Sequence, residues 1–377
     1  MQTGHVRSAV LAVLGAAIVS LAGCAALPRG DSEADLVVED LITRSRRSRL
    51  KTQTPAPTRE TVRYEMQGRG YQADLYRPAQ GALAAIVLVP GLAPGGKDDP
   101  RLTAFADTLA RSRFAVLVPD LSSLREYRVR SGNVREIADA FAYLTSHPEP
   151  EIPSAGIAGF SYAAGPAVLA ALEPDIRDRV RFILSVGGYH DVRRVAAYLT
   201  TGYFEERTPG APATRNWQYL RPHPYAKALF ALNAAEMLDD PADRKAIAGL
   251  AGSLVWETLG GATGAPPRLG AGGQALYELL MNRDPHRVPA LMEALPGRVR
   301  AELAGLDPAL RDLTQLKARF IVLHGRRDDM IPYTESVALT QALHGQQHRD
   351  GCKHLSLTFA QAQWTPFGQF LQIVVSE

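Results

Sequence analysis

Short apolar runs alternate with helical patterns along most of this chain. The runs at residues 85–89, 115–118 and 320–323 contain no polar position, as is typical of strands that are buried on both faces. Helical patterns at residues 102–111 and 134–146 lie between such strands. This alternation favours a largely parallel sheet covered by helices on both faces. We therefore predict an α/β fold.

One of the predicted strand-to-helix turns carries a serine. Residues 159–163 read Gly-Phe-Ser-Tyr-Ala, after a strand predicted at residues 155–158 and at the start of an Ala-rich helix. A serine on a sharp turn of this kind is exposed above the sheet, and small neighbours let the backbone bend tightly. Ser161 is therefore a candidate nucleophile, although Ala163 stands where glycine is usual. The alternative is an ordinary turn that happens to contain a serine.

Candidate partners for the serine follow the strand at residues 320–323. Asp328 lies on the loop after this strand, where a carboxylate can orient a histidine. His354 follows after a stretch long enough for one helix, at residues 333–343, and a short strand. A neutral imidazole can take the proton of a serine hydroxyl, and a carboxylate can fix the imidazole tautomer.

The order Ser161, Asp328, His354 resembles that of the α/β-hydrolase superfamily, over residues 61–376 apart from a long insert. The Gly-Arg-Arg-Asp run that ends at Asp328 is similar to the acid loop of that family. The Ser-Tyr pair is similar to its dienelactone-hydrolase and prolyl-oligopeptidase branches. The resemblance implies an α/β-hydrolase fold, with a mostly parallel central sheet, helices on both faces and a helical cap insert. It also implies acyl transfer to water through a covalent serine ester, with His354 as base and Asp328 as acid.

An oxyanion hole requires two backbone amides. Tyr162, directly after the candidate nucleophile, supplies the first. Leu92, which follows the strand at residues 85–89, supplies the second. The chain has Pro90-Gly91 where the family often has His-Gly, a change that leaves the backbone donor in place.

Some neighbouring residues compete for these roles. Asp329 adjoins Asp328, and a shift of one residue in the acid loop would exchange them; the spacing from Gly325 favours Asp328. Asp191 follows the strand predicted at residues 180–186 and is more simply a helix N-cap than an alternative acid. The other histidines in this half of the sequence are expected to pack or to lie on the surface: His324, His344 and His348.

The amino terminus resembles a bacterial lipoprotein signal. Arg7 precedes an apolar stretch at residues 9–20, and Leu-Ala-Gly-Cys follows, ending at Cys24. We predict a signal peptide at residues 1–23, acylation of Cys24 and a basic, proline-containing tether at residues 24–60. A conventional signal peptide with an incidental cysteine is the alternative. Ala25 after the cysteine suggests a lipid-anchored protein of the outer membrane that faces the periplasm.

The rest of the chain divides around the insert. We predict a first part of the hydrolase core at residues 61–190, a helical cap or lid at 191–315 and a second part of the core at 316–377. Helical stretches within the cap are expected at residues 242–258 and 274–281. Several aromatic residues of the cap could line an acyl pocket, although packing within the core of the cap is the favoured role for most of them: Tyr203, Phe204, Trp217, Tyr219 and Trp256.

Composition excludes several classes of function. A net charge of +3, with 46% hydrophobic and 21% charged residues, gives no support for nucleic-acid binding. Acylation of Cys24 would leave Cys352 as the remaining thiol, so an internal disulfide is not expected. No zinc-type Cys/His spacing and no phosphate-binding glycine loop occur in the sequence, and we predict neither a metal nor a cofactor.

The sequence therefore predicts a lipid-anchored serine hydrolase that cleaves a carboxylic ester or a related acyl bond in a small molecule. A peptidase of the prolyl-oligopeptidase type is the closest enzymatic alternative. A non-catalytic envelope protein that holds a ligand in the capped pocket is the alternative from another class. The natural substrate, its acyl length and the oligomeric state do not follow from the sequence.

Overall fold

A computed structural model describes residues 36–37, 39–41, 47–146, 152, 154–206, 216–257, 268–344 and 355–359 of the chain. For residues 253–257, 344 and 355–359 the description is limited to the backbone. Cys24, Cys352 and His354 lie outside these ranges. Within the same ranges, no helix is both long enough and apolar enough to cross a membrane.

Eight of the described strands form one central sheet, and two form a separate hairpin. In chain order the strands are β1 (Thr58–Met66), β2 (Arg69–Arg77), β3 (Ala84–Val89), β4 (Phe114–Pro119), β5 (Ala155–Phe160), β6 (Val180–Val186), β7 (Tyr203–Glu206), β8 (Asn216–Tyr219), β9 (Arg319–Gly325) and β10 (Leu355–Phe359). The order across the central sheet is β1-β2-β4-β3-β5-β6-β9-β10. The pairs β1–β2 and β2–β4 are antiparallel, and the remaining neighbours are parallel.

Helices fill the connections between the strands. In chain order they are α1 (Arg49–Gln53), α2 (Pro100–Arg111), α3 (Ser122–Arg125), α4 (Asn133–Ser146), α5 (Ala164–Ala170), α6 (Val192–Thr201), α7 (Pro224–Ala235), α8 (Pro241–Glu257), α9 (Ala271–Met281), α10 (Val288–Glu293), α11 (Gly297–Gly305) and α12 (Thr334–His344).

Successive residues of a strand point to opposite sides of the sheet, and in the central sheet the side chains on both sides are buried. Val87 and Ile157 belong to the cluster that packs against α4, α5 and α12. Ile86 and Leu88 belong to the cluster on the opposite face, which packs against α2. Each fully buried side chain of this size contributes about 1.5–3 kcal/mol. The mostly parallel sheet with helices packed on both faces confirms the predicted α/β architecture.

The segment before the sheet differs from the predicted tether. Leu50 of α1 is 2% exposed and belongs to the apolar cluster under α2. The buried Asp40 accepts hydrogen bonds from Ser48 and from Thr108 of α2, and it forms an ion pair with Lys51 at 2.8 Å. Over these residues the basic segment is therefore packed on the core and is not a solvated linker.

Residues between α6 and α11 form a separate layer above the carboxyl ends of the strands. Its helices share an apolar cluster of their own, which includes Leu276, Leu279 and Met292. Two polar contacts hold the layer to the loop that follows α3: Asn233 accepts from the amide of Val129 at 2.9 Å, and Glu302 accepts from the amide of Ser131 at 2.8 Å. The layer also contains the hairpin β7–β8, which the sequence pattern did not predict.

Candidate active site

Ser161 lies on the sharp turn between β5 and α5. Its φ of 54° is in the left-handed region, which a non-glycine residue enters at an energetic cost of about 1–3 kcal/mol. The surrounding structure must therefore hold this conformation. In an α/β-hydrolase fold such a strained turn presents the nucleophile above the sheet.

Close packing of α5 on β5 explains the small residues of the turn. A Cβ atom on Gly159 would lie 2.7 Å from Cα of Ala164 and 2.8 Å from Cβ of Ala167. Glycine is thus required at position 159. Ala163 is buried and has a φ of −76°, a conformation that any residue adopts. This explains why alanine is tolerated where the usual motif has glycine.

Ser161 lines a cavity of about 170 Å³ between the sheet and the cap. The loop after β3, which includes Gly91 and Leu92, forms one wall, and Met330 of the acid loop lies on another. His223 and Leu229, at the start and middle of α7, close the cavity from the cap side. The candidate nucleophile is therefore covered by the cap and still accessible to a small molecule.

Both predicted oxyanion residues line this cavity. Among the described residues no acceptor is recorded for the amide of Leu92. Tyr162 is the second residue of the helical turn Ser161–Ala163, and amides at the start of a helical turn have no partner within it. The two amides are thus free to donate, as an oxyanion hole requires.

Asp328 is 2% exposed and sits in the loop that follows β9. Its Oδ1 accepts from the amides of Met330 at 2.8 Å and Ile331 at 3.0 Å. These two bonds fix the carboxylate and leave Oδ2, whose recorded neighbour is Nε2 of His324 at 3.4 Å. A buried carboxylate held in this way is suited to orient an imidazole.

The contacts of Asp329 differ from those of Asp328. Its carbonyl oxygen accepts from the amide of His223 at 2.8 Å. Burial raises the pKa of its carboxyl, the nearby His223 opposes the rise, and the charge of Asp328 adds to it. The adjacent carboxylates are thus distinguished by contacts: Asp328 organises its own loop, whereas Asp329 adjoins the cap.

The remaining described candidates have structural roles. His324 is buried, with Nδ1 2.6 Å from Oγ of Ser336 and Nε2 2.9 Å from the carbonyl oxygen of Ile331, so both ring nitrogens are occupied. Asp191 caps α6 by accepting from the amides of Arg193 and Arg194. The reading of Asp191 as a helix cap is confirmed.

The predicted base, His354, lies outside the described residues. The strand that begins at the next position bears on the prediction. Leu355 pairs with Ile321, whereas Phe359 pairs with Gly325 at the carboxyl edge of the sheet, where Ser161 and Asp328 are found. Leu355 and Phe359 are four residues apart, and four residues of a strand span about 13 Å. The first residue of β10 is therefore about 13 Å from the carboxyl edge of the sheet. The register of β10 therefore lends no support to His354, and its role stays a prediction.

The sequence analysis missed His223, a histidine that lines the cavity. His223 is the N-cap of α7, and its Nδ1 accepts from the amide of Tyr225 at 3.2 Å. Pro224 is the first residue of that helix, and proline is favoured at this position. The His-Pro pair was thus a usable sign of a helix start, but it did not indicate that His223 would line the cavity that contains Ser161.

A second, apolar cavity of about 80 Å³ continues from the first. The two cavities share Leu92, Tyr162 and Leu229. Several of its other lining residues belong to the cap: Val192, Val195, Phe230, Leu303 and Leu306.

The aromatic residues of the cap whose side chains are described do not line either cavity, and packing within the cap, the favoured alternative, describes them better. Tyr203 and Tyr219 are exposed and contact each other. Phe204 packs edge-on against Tyr198, and Trp217 packs against His286. The hairpin β7–β8 carries these side chains away from both cavities. The side chain of Trp256 lies outside the described residues.

In the central sheet β4 lies between β2 and β3, so β3 and β4 exchange places relative to their order along the chain. This strand order and the strained serine turn after β5 define the α/β-hydrolase fold. The chain has the α/β-hydrolase fold.

No protein-family model matches the chain, and no curated protein matches its sequence. Among solved structures, dienelactone hydrolase from Anabaena variabilis aligns over 35% of this chain and 64% of its own at 22% identity, with a TM-score of 0.31. Acylaminoacyl peptidase from Pyrococcus horikoshii aligns over 82% of this chain and 38% of its own at 12% identity, with a TM-score of 0.46.

A third solved structure, 2-hydroxy-6-oxo-6-phenylhexa-2,4-dienoate hydrolase from Rhodococcus sp., aligns over 80% of this chain and 91% of its own. Its identity is 16% and its TM-score is 0.38. Similarity at these levels carries no information about substrate.

Proposed function

We propose that this protein is a serine hydrolase that cleaves a carboxylic ester through an acyl-enzyme intermediate. The observation that carries the proposal is the strained conformation of Ser161 inside a capped cavity that Leu92 also lines. Strain at a nucleophile is retained when the site needs it. In the proposed reaction the base takes the proton of the Ser161 hydroxyl as its oxygen attacks the carbonyl carbon, the amides of Leu92 and Tyr162 stabilise the oxyanion, and Asp328 orients the base. The base then gives the proton to the departing alcohol as the ester C–O bond breaks, and water hydrolyses the acyl-enzyme and frees Ser161.

The proposed base is His354, on the strength of sequence order. His223 is the alternative, because it lines the cavity. With Nδ1 accepting from the amide of Tyr225, however, the proton of the neutral His223 ring is on Nε2. A ring in that tautomer cannot take a proton from Ser161 without first giving up the helix cap.

The apolar cavity supports a short, apolar acyl group. The polar side chains that line it are already hydrogen-bonded elsewhere. The hydroxyls of Tyr162 and Tyr189 donate to the carbonyl oxygens of Met330 and Leu306, and the side-chain amide of Asn233 is bonded to three main-chain groups and to Arg130. An apolar cavity of ~150 Å³ holds one benzene molecule. A cavity of about 80 Å³ therefore suits roughly three or four carbons.

Labelling with a fluorophosphonate probe tests the nucleophile. The wild type should be labelled, and Ser161→Ala should lose both labelling and ester turnover, the latter by at least ~10³-fold. Ser185→Ala, at a buried serine of β6, is the matched control and should keep both. A wild-type protein that is never labelled would favour a non-catalytic, ligand-holding role.

Separate substitutions of His354 and His223 test which of the two histidines is the base. His354→Ala should reduce kcat by about 10³- to 10⁴-fold, whereas His348→Ala, a nearby control, should have little effect. If His354→Ala keeps its activity and His223→Ala loses it, the base comes from the cap.

Chain-length preference tests the acyl group. Leu303 is half-buried at the wall of the apolar cavity, so its size can be changed at moderate cost to stability. Leu303→Ala should move the optimum of kcat/KM in a series of p-nitrophenyl esters toward longer chains, and Leu303→Phe toward acetate. Leu310→Ala, at an exposed position outside the cavity, is the control. An unchanged optimum in both Leu303 variants would contradict the assignment.

We further propose that the protein is anchored to the outer membrane through acylated Cys24 and faces the periplasm. The support is the sequence motif that ends at this cysteine. Burial of several acyl chains, at ~0.8 kcal/mol per methylene, is sufficient to hold a chain at a membrane.

A further inference from the structure

His223 lines the cavity that contains Ser161, but the proposed reaction assigns it no role. It belongs to the cap, at the first turn of α7, yet its ring lines the cavity that contains Ser161. Its backbone amide donates to the carbonyl oxygen of Asp329 at 2.8 Å, which ties this point of the cap to the acid loop. The ring is therefore held in place from both sides.

The hydrogen bond at Nδ1 decides what the ring can offer. Nδ1 accepts from the amide of Tyr225, so this nitrogen carries a lone pair and Nε2 carries the proton. Among the described residues Nε2 has no hydrogen-bond acceptor. The tautomer is thus set by the start of the helix, and the free nitrogen of His223 is a donor.

Asp329 reinforces this arrangement. Burial raises the pKa of the Asp329 carboxyl, and the nearby His223 opposes that rise. A carboxylate beside an imidazole strengthens the positive end of the ring. Asp329 therefore lies close enough to His223 to act on the ring electrostatically.

The two cavities place His223 relative to the substrate. The apolar cavity, proposed for the acyl chain, is not lined by His223. The larger cavity is, together with more polar residues such as Tyr127 and Arg101. A substrate with its carbonyl carbon at Ser161 and its acyl chain in the apolar cavity would extend its leaving group along His223.

We propose that Nε2–H of His223 donates a hydrogen bond to an oxygen acceptor on the leaving group of the ester, and so selects substrates that carry one. This inference rests on the proposed function, because it presupposes an acyl group bound at Ser161. The ligand class is an ester of a short apolar acid with an alcohol or phenol that bears a carbonyl, carboxylate or ether oxygen.

A matched pair of esters measures this selection. Methyl 3-butyryloxybenzoate and 3-chlorophenyl butyrate share the acyl group and have leaving groups of similar acidity, but the first carries an additional carbonyl oxygen. The wild type should prefer the first ester by about 3- to 10-fold in kcat/KM, the range expected for one hydrogen bond. The ratio is taken within one protein sample, so differences in the amount of active protein cancel.

Two variants separate the donor from the helix cap. His223→Ser keeps a favoured N-cap and removes the donor, so the ratio should fall to near one. His223→Gln loses the ring acceptor but can still present an N–H at similar reach, so it should keep part of the preference. Circular dichroism and thermal unfolding report whether each variant is folded.

The outcomes are distinguishable from those for the proposed function. Failure of the wild type to react with a fluorophosphonate would overturn the proposed function, and this inference with it. Normal labelling of the wild type, with the same ester ratio in the wild type and in folded His223→Ser, would overturn this inference alone. Loss of the ratio in His223→Ser together with its retention in His223→Gln would support it.

Discussion

The hydroxyl of Tyr162 donates to the carbonyl oxygen of Met330 across 3.2 Å. Tyr162 directly follows the candidate nucleophile, and Met330 donates its own amide to Asp328. One side chain thus joins the serine turn to the loop that holds the acid. Burial, followed by the charge of Asp328, raises the pKa of the Tyr162 phenol and keeps it a donor.

Tyr162→Phe tests this connection. Removal of the hydroxyl leaves the Met330 carbonyl without its partner and should lower the free energy of unfolding by about 1–2 kcal/mol. Because the acid loop loses a tie to the serine turn, kcat should fall several-fold with little change in KM.

Tyr189→Phe is the control for that experiment. Its hydroxyl makes a comparable buried bond to the carbonyl oxygen of Leu306, away from the acid loop. The variant should show a similar loss of stability with a smaller effect on kcat. Equal effects of the two substitutions on kcat would mean that the Tyr162 bond serves stability alone.

The two adjacent carboxylates should respond differently to removal of charge. Asp328→Asn keeps the oxygen that accepts from the loop amides but no longer favours the reactive tautomer of the base, so kcat should fall by about 10³- to 10⁴-fold. Asp329→Asn should reduce kcat much less, since its contacts are with the cap. Steady-state kinetics on one ester decides the ranking, and the reverse order would assign the acid to Asp329.

Asp307 should make stability depend on pH. Its burial, and then the charge of Asp191, raise the pKa of its carboxyl from 3.8 to about 6. The folded protein therefore holds a proton that the unfolded chain has released between about pH 4 and pH 6, so this group lowers stability as pH rises through that window.

Asp307→Asn removes the penalty and keeps an oxygen for the amide of Ala309, which Asp307 now caps at 3.0 Å. The variant should be more stable than the wild type by about 1–2 kcal/mol at pH 7.5 and no more stable at pH 4. Urea unfolding at the two pH values measures the difference. A gain that is equal at both values would exclude the titration of Asp307 as its cause.

Cys24→Ser tests the proposed anchor. Without the thiol no acyl chain can be attached, so the protein should stop partitioning with membranes and either stay unprocessed or become soluble, with its ester turnover retained. Basic residues near an anionic surface contribute only about 1 kcal/mol each and are screened by salt. Fractionation in high salt is therefore the measurement. A variant that still sediments fully with the outer membrane would show that another surface holds it.

The central sheet could be predicted because its strands carry unambiguous patterns. The runs at β3, β4 and β9 are apolar on both faces, and Gln67 and Gly68 form the tight turn of the first hairpin with positive φ values of 51° and 74°. The sequence pattern predicts the strands of this hairpin at residues 62–66 and 71–76, so it places the start of β1 too late. The first residues of β1 are exposed and have no apolar alternation to mark them as strand.

The site could be predicted in part for a related reason. Ser161 and Asp328 follow strands with clear patterns, so their positions at the carboxyl edge follow from the sheet. His223 belongs to the cap, where short helices and four-residue strands leave little periodicity to interpret. Its approach to the cavity depends on tertiary contacts with Asp329 that no local pattern encodes.

The docking of the amino-terminal segment limits how far the protein can move if Cys24 is acylated. Leu36 is already buried against the core, and the chain between these two residues, even if fully extended, spans at most about 40 Å. This is close to the thickness of one bilayer including its headgroups, about 40–45 Å. A lipid-anchored form would therefore act as a surface catalyst that meets its substrates within one membrane thickness of the bilayer, and it would have no access to the interior of the compartment.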